Sequence, residues 1–189
     1  MKRRLRLSLT IVGGALGFGV LAACATLSKE ECAVVNWSDL GQRDGEAGYH
    51  PSRVERHAKA CARADIAVDT QAYLAAHAMG IRQYCTAANG LSVGSRGERY
   101  RNSCPAELEA AFLRPYNAAS EVRSAEFQVD NARARIESVT DQAFSVDLTP
   151  EQRLSLQNDL DDARADLKDA EFDLRRARLK LQRITREIL

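Results

Sequence analysis

The stretch that decides the fold is Leu156–Ile188, LQNDLDDARADLKDAEFDLRRARLKLQRITREI. An apolar residue returns every seven positions at Leu160, Leu167, Leu174, Leu181 and Ile188. A second series, Leu156, Ala163, Ala170, Ala177 and Ile184, falls between them. Steps of three and four keep both series on one stripe of an α-helix, the a/d seam of a heptad repeat. Upstream the same spacing runs through Val122, Val129, Ile136 and Ala143, with Ala118, Ala125, Ala132 and Val139 between. The two segments are separated by Ser145-Val146-Asp147-Leu148-Thr149-Pro150. There Thr149 suits an N-cap, Pro150 the first helical position, and Gln152 completes a capping box. The chain is therefore expected to turn here and lay the second helix back on the first.

An antiparallel register in which paired numbers sum to 299 sets Ala125 against Leu174 and Ala132 against Leu167. Small residues then face large ones in nearly every layer, whereas a parallel homodimer would stack alanine on alanine. Pro115 is expected to kink or break the first helix near its base. Along the second helix, Asp159, Asp161, Asp162, Asp166, Asp169, Glu171 and Asp173 come first. Arg175, Arg176, Arg178, Lys180, Arg183 and Arg186 come last, an order that suits the helix dipole. Phe127, Phe172 and Leu179 occupy f positions opposite the seam and are a candidate partner surface. Packing on the rest of the chain or in a homo-oligomer would account for them equally.

The N-terminus gives an address. Lys2, Arg3, Arg4 and Arg6 precede an apolar or small run from Leu7 to Ala23, and no acid appears before Glu30. That is the layout of a secretory signal. The run is shorter than the roughly 20 residues of a membrane span and carries Gly13, Gly14, Gly17 and Gly19. It ends in Leu21-Ala22-Ala23-Cys24, which resembles the lipobox of bacterial lipoproteins. The resemblance implies cleavage before Cys24 and lipid attachment there, so the protein reaches the membrane through that lipid. Ala25 in place of Asp implies, by likeness to sorted lipoproteins, an outer-membrane location facing the periplasm. Removing 23 of 189 residues leaves 166, and 23 Lys+Arg against 26 Asp+Glu, a balance of −3. Such a charge in an envelope protein argues against a nucleic-acid partner.

Beyond Cys24 remain Cys32, Cys61, Cys85 and Cys104. An even number in an oxidising compartment implies two disulfides. Of the three pairings, Cys32–Cys61 with Cys85–Cys104 is favoured because each closes a loop between consecutive elements. Spacings of 29, 24 and 19 with no C-x2-C pair fit a metal site poorly. Neither glycine nor cysteine occurs after residue 104. The organisation read from this is a signal over 1–23, a linker over 24–31, a disulfide-tied head over 32–104 and a hairpin over 105–189. The expected fold class is mostly α: a small disulfide-tied helical head followed by a long antiparallel hairpin of coiled-coil type.

Within the head, Trp37 to Gly48 reads as a helix with Gly41, Gly45 and Gly48 near one face. Pro51 to Ala64 reads as another, and Thr70 to Thr86 as a third, in which Ala76 and Gly80 repeat the small spacing. Residues 89–102, with three glycines, read as a loop. The pattern W-x3-G-x2-D-G-x2-G from Trp37, with Tyr84-Cys85, Tyr100 and Cys104-Pro105, resembles a bacterial lipoprotein family known as a domain of unknown function, DUF2799. The resemblance spans roughly residues 32–119, and glycines are usual in it where this chain has Ala76 and Ala119. It implies an envelope lipoprotein and carries no catalytic residues.

No catalytic, cofactor or metal motif stands out. His50, His57 and His77 lack a zinc-binding spacing, and Gly90-x3-Gly94-x2-Gly97 is not a nucleotide fingerprint. Trp37, Asp44, Tyr73, His77, Arg82, Tyr84, Arg96 and Tyr100 are the candidate lining of a head site for a glycan or small anion, or else the filling of a small core. The expectation is a non-enzymatic envelope protein that docks another envelope protein through its hairpin. The alternative is a head that captures a cell-wall or surface glycan fragment.

Overall fold

A computed structural model describes residues 26–144 and 147–188. Cys24 and the signal segment lie outside the described residues. The helices are α1 Lys29–Val34, α2 Trp37–Glu46, α3 Arg53–Cys61, α4 Thr70–Tyr84, α5 Ala87–Arg96, α6 Ala106–Ala143 and α7 Pro150–Ile188. A 3-10 turn, Ala62–Ala64, extends α3. Among the described residues there is no strand, and no helix is long and apolar enough to cross a membrane. Disulfides join Cys32 to Cys61 and Cys85 to Cys104, the favoured pairing.

The head consists of two helix pairs built alike. In the first, α2 lies on α4 so closely that a Cβ on Gly41 would come within 2.2 Å of the Tyr73 carbonyl oxygen, and one on Gly45 within 2.5 Å of that of His77. In the second, α5 lies on α6, and the same additions at Gly90 and Gly94 would meet the Phe112 and Tyr116 carbonyls at 2.2 and 2.4 Å. Gly41, Gly45 and Gly48 correspond to Gly90, Gly94 and Gly97, each 49 residues later. Tyr73 and His77 correspond to Phe112 and Tyr116, each 39 later. Gly48 and Gly97 both adopt positive φ, +67° and +70°, where the chain leaves the helix. Each disulfide joins the segment before the first helix of a pair to the segment before the second. The head is thus an internal repeat.

Two expectations are corrected here. The stretch from Asn89 begins inside a helix, since α5 spans Ala87–Arg96. Thr86 caps it by accepting from the Asn89 amide at 3.2 Å, and its glycines are the contact surface for α6. Tertiary packing outweighs the propensity penalty of about 1 kcal/mol per glycine. Nor does Pro115 break the first long helix. It lies buried inside α6, where the head packs around it. The first turns of α6 therefore belong to the core of the head, with Phe112 fully buried among Tyr84, Val93 and Tyr100.

Helices α6 and α7 form the long hairpin. The expected capping box is present: the Gln152 amide donates to Thr149 Oγ1 at 3.2 Å, and Gln152 Oε1 accepts from the Thr149 amide at 2.8 Å. Every seam residue named on either helix is buried or half-buried. Among the described residues five ion pairs cross the hairpin: Arg114–Glu187, Lys180–Glu121, Arg178–Glu126, Arg133–Glu171 and Arg135–Asp166. Their numbers sum to 301 or 304, bracketing 302–303 rather than the expected 299. In keeping with that shift, Ala125 and Ala132 line one groove with Ala170 and Ala177, and Val129 lines the other with Leu174. Small residues collect along one edge, where they let the backbones approach, and larger ones fill the opposite edge.

Candidate functional site

Asp44 projects from α2 one residue before the contact glycine Gly45 and is buried. One of its oxygens, Oδ2, gathers three partners. Tyr73 of α4 donates its hydroxyl at 2.7 Å, His57 of α3 places Nε2 at 2.8 Å, and Arg53 brings Nε to 3.2 Å. Burial by itself would raise the Asp44 pKa. The hydrogen bonds from His57 and Tyr73, with the Arg53 charge, outweigh it and hold the carboxyl below its ordinary value of 3.8. Burial and the neighbouring carboxylate push the Tyr73 phenol upward. A carboxylate, an imidazole and a phenol can serve acid–base chemistry, but here Asp44 Oδ2, His57 Nε2 and the Tyr73 hydroxyl are turned on one another, and His57 Nδ1 is buried without a partner among the described residues. The arrangement joins α2, α3 and α4.

Around this cluster His77 donates from Nε2 to the Tyr49 carbonyl at 2.8 Å. The Tyr49 ring carries the Arg53 guanidinium 3.7 Å from its centroid and that of Arg101 at 4.5 Å. Arg101 also donates to the Ala47 carbonyl, tying the second helix pair to the first. None of Tyr49, Arg53, His57 and Arg101 was among the sequence candidates. The i, i+4 spacing of Arg53 and His57 on one helix was the signal available for two of them.

The eight head candidates are not brought together. Trp37 is half-buried beside Leu40, Val54 and Tyr73. Asp44, Tyr73 and His77 belong to the polar cluster. Tyr84 and Tyr100 are buried in the second core with Phe112, where burial raises both phenol pKa values. Arg82 and Arg96 lie on the surface, paired with Glu107 and Glu98. Tyr100 ties its own loop, accepting from the Cys104 amide and donating to Glu109, each at 3.0 Å.

The hairpin presents the reverse situation. Phe127, Phe172 and Leu179 are 66%, 58% and 64% exposed. Phe127 lies just past the end of α5, in a groove with Gly97, Tyr116 and Arg123, so it continues the face of α6 that α5 covers. Phe172 and Leu179 share the outer stripe of α7. Phe144 and Leu154, at the turn between the long helices, are also exposed and were not singled out from the sequence.

This geometry defines a class: an all-helical, disulfide-tied head with duplicated glycine-packed helix pairs, continuous with a long helical hairpin. Residues 36–121 match the family described as Protein of unknown function (DUF2799). The family segment starts at the N-cap of α2 and ends in α6 just beyond its contact with α5, and so coincides with the duplicated head. No curated protein and no solved structure matches the chain.

Proposed function

We propose that this is a lipid-anchored protein of the bacterial envelope whose helical hairpin is a docking arm for other proteins. The observation that carries the reading is the exposure of Phe127, Phe172 and Leu179 on faces turned away from the hairpin seam. Three large apolar side chains held in water cost solvation free energy that a partner's surface would recover. The head's aromatic residues are spent internally, which weighs against the alternative of a glycan site built from Tyr73, Tyr84 and Tyr100. In this reading Cys24 carries the lipid after cleavage of residues 1–23, and the protein faces the periplasm from the outer membrane. The hairpin is an antiparallel coiled coil, stiffened by its five cross-helix ion pairs.

Two experiments test this. Metabolic labelling with a palmitate analogue should mark the wild-type chain and not Cys24→Ala. A photo-crosslinking residue at 127, 172 or 179 should give a discrete protein adduct in cells, whereas one at exposed Ser155 should not. Labelling that survives Cys24→Ala, or free monomer at all three positions, would overturn the anchor or the arm respectively.

A further inference from the structure

We propose that the outer face of α7 is self-complementary and that two copies of the chain pair through it, antiparallel, with Phe172 of each at the two-fold axis. This rests on reading Phe172 and Leu179 as a docking surface and names its partner as a second copy.

The charges of α7 fall into two sets according to what they face. Of those flanking the seam, Asp166, Glu171, Arg178, Lys180 and Glu187 are paired with α6, and Arg164 and Asp173 pair within α7. Those on the outer face are ordered differently. Asp161, Asp162 and Asp169, with Lys168 among them, precede Phe172, and Arg175, Arg176, Arg183 and Arg186 follow it; Asp169 and Arg176 also edge the small-residue groove toward α6. Among the described residues, Asp162, Asp169 and Arg183 have no salt-bridge partner, and Arg176 reaches only its own Asp173, one turn back. A face mainly acidic on one side of a point and basic on the other matches a copy of itself turned by 180° about that point.

The register follows from the heptad. With Phe172 on the axis, outer-stripe positions pair where their numbers sum to 344, setting Leu179 on Ala165 of the second copy. Positions flanking the stripe on one side then sum to 345. Arg176 meets Asp169, Arg183 meets Asp162, and symmetry makes each pair occur twice. On the other side Gln182 meets Asp161, and Arg175 against Lys168 is the one like-charged contact. Attraction outnumbers repulsion two to one, and the apolar side chains fall on the centre line. An anionic membrane suits this face less well, because its acidic half would be repelled.

The test is charge reversal with rescue, on purified full-length chain by sedimentation equilibrium. Wild type should form a reversible dimer. Arg176→Asp with Arg183→Asp should weaken self-association by roughly tenfold or more, as should Asp162→Arg with Asp169→Arg. Mixed in equal amounts, the two variants should form a heterodimer, since all four pairs are then opposite in charge. These residues are exposed, so helical content should not change. Wild type that stays monomeric at about a hundred micromolar, or a mixture that shows no rescue, would overturn the proposal. Monomer in solution with a foreign adduct at position 172 in cells overturns self-pairing and leaves the docking arm standing.

Discussion

The backbone of Gly41 lies against the Tyr73 carbonyl, where even a methyl group would sit 2.2 Å from the oxygen. The Gly90–Phe112 pair repeats that approach in the second half of the head. Because the obstacle is backbone, neither site can relieve the clash by rotating a side chain, and the helices must separate. Gly41→Ala and Gly90→Ala should each destabilise the protein by about 2–3 kcal/mol. Exposed Ser95→Ala on α5 should stay within about 0.5 kcal/mol. Urea unfolding followed by circular dichroism checks all three.

The two repeats differ where it matters for pH. Asp44 and Tyr73 occupy positions that in the second repeat are Val93 and Phe112, both buried. The fold thus accommodates an apolar solution at these places, and the first repeat has a carboxylate cluster instead. Replacing Asp44 by Asn leaves Arg53 without its counter-charge and takes the carboxylate acceptor from His57 and Tyr73, and should cost on the order of 2–3 kcal/mol at neutral pH. The sign of the pH dependence follows from the lowered folded-state pKa. The Asp44 contribution is complete above the ordinary value of 3.8 and is lost as pH falls through the folded value, because the unfolded chain takes up the proton first. The drop in urea midpoint between pH 5 and pH 2.5 should therefore be smaller in Asp44→Asn than in wild type. Equal drops would show that Asp44 does not drive the acid limb.

The disulfides close loops of 29 and 19 residues, and each joins the entry of one helix to the entry of its partner. Loop-closure entropy makes each worth about 3 kcal/mol, the longer slightly more. Cys85→Ser with Cys104→Ser should lower stability by that amount while the α6–α7 hairpin keeps its helicity. Thermal unfolding with far-ultraviolet circular dichroism would show the head melting first.

What could be read from the sequence was whatever depends on short-range periodicity. The heptads of Leu156–Ile188, the Thr149–Gln152 cap and the cysteine pairing all follow from spacing along one chain segment. Helix α5 was not legible, because Gly90 and Gly94 depress helix propensity and their compensation lies on α6, twenty-two residues away. The Asp44 cluster was legible in part. Asp44 and Tyr73 were singled out, yet Arg53 and His57 join them only through the folding of α3 onto α2 and α4. Pro115 leaves α6 unbroken for a related reason: a helix breaker is tolerated where the turns around it are packed in one core.

The hairpin register is the sharpest case, since the same seam residues admit two alignments about a turn apart. The ion pairs place Ala125 level with Ala177, both lining one groove, whereas a sum of 299 would place Ala125 level with Leu174. A disulfide needs Cα atoms within about 7 Å, so cysteine pairs discriminate between the alignments. Ala125→Cys with Ala177→Cys should oxidise readily to an intramolecular bond, because two small residues on the close edge bring the backbones together. Ala125→Cys with Leu174→Cys should not, since residue 174 lies on the opposite edge beside Val129. Mass spectrometry of the alkylated proteins, with the head disulfides as internal controls, reads the result. Efficient closure of the second pair and not the first would move the register back to 299 and return the large-against-small layering.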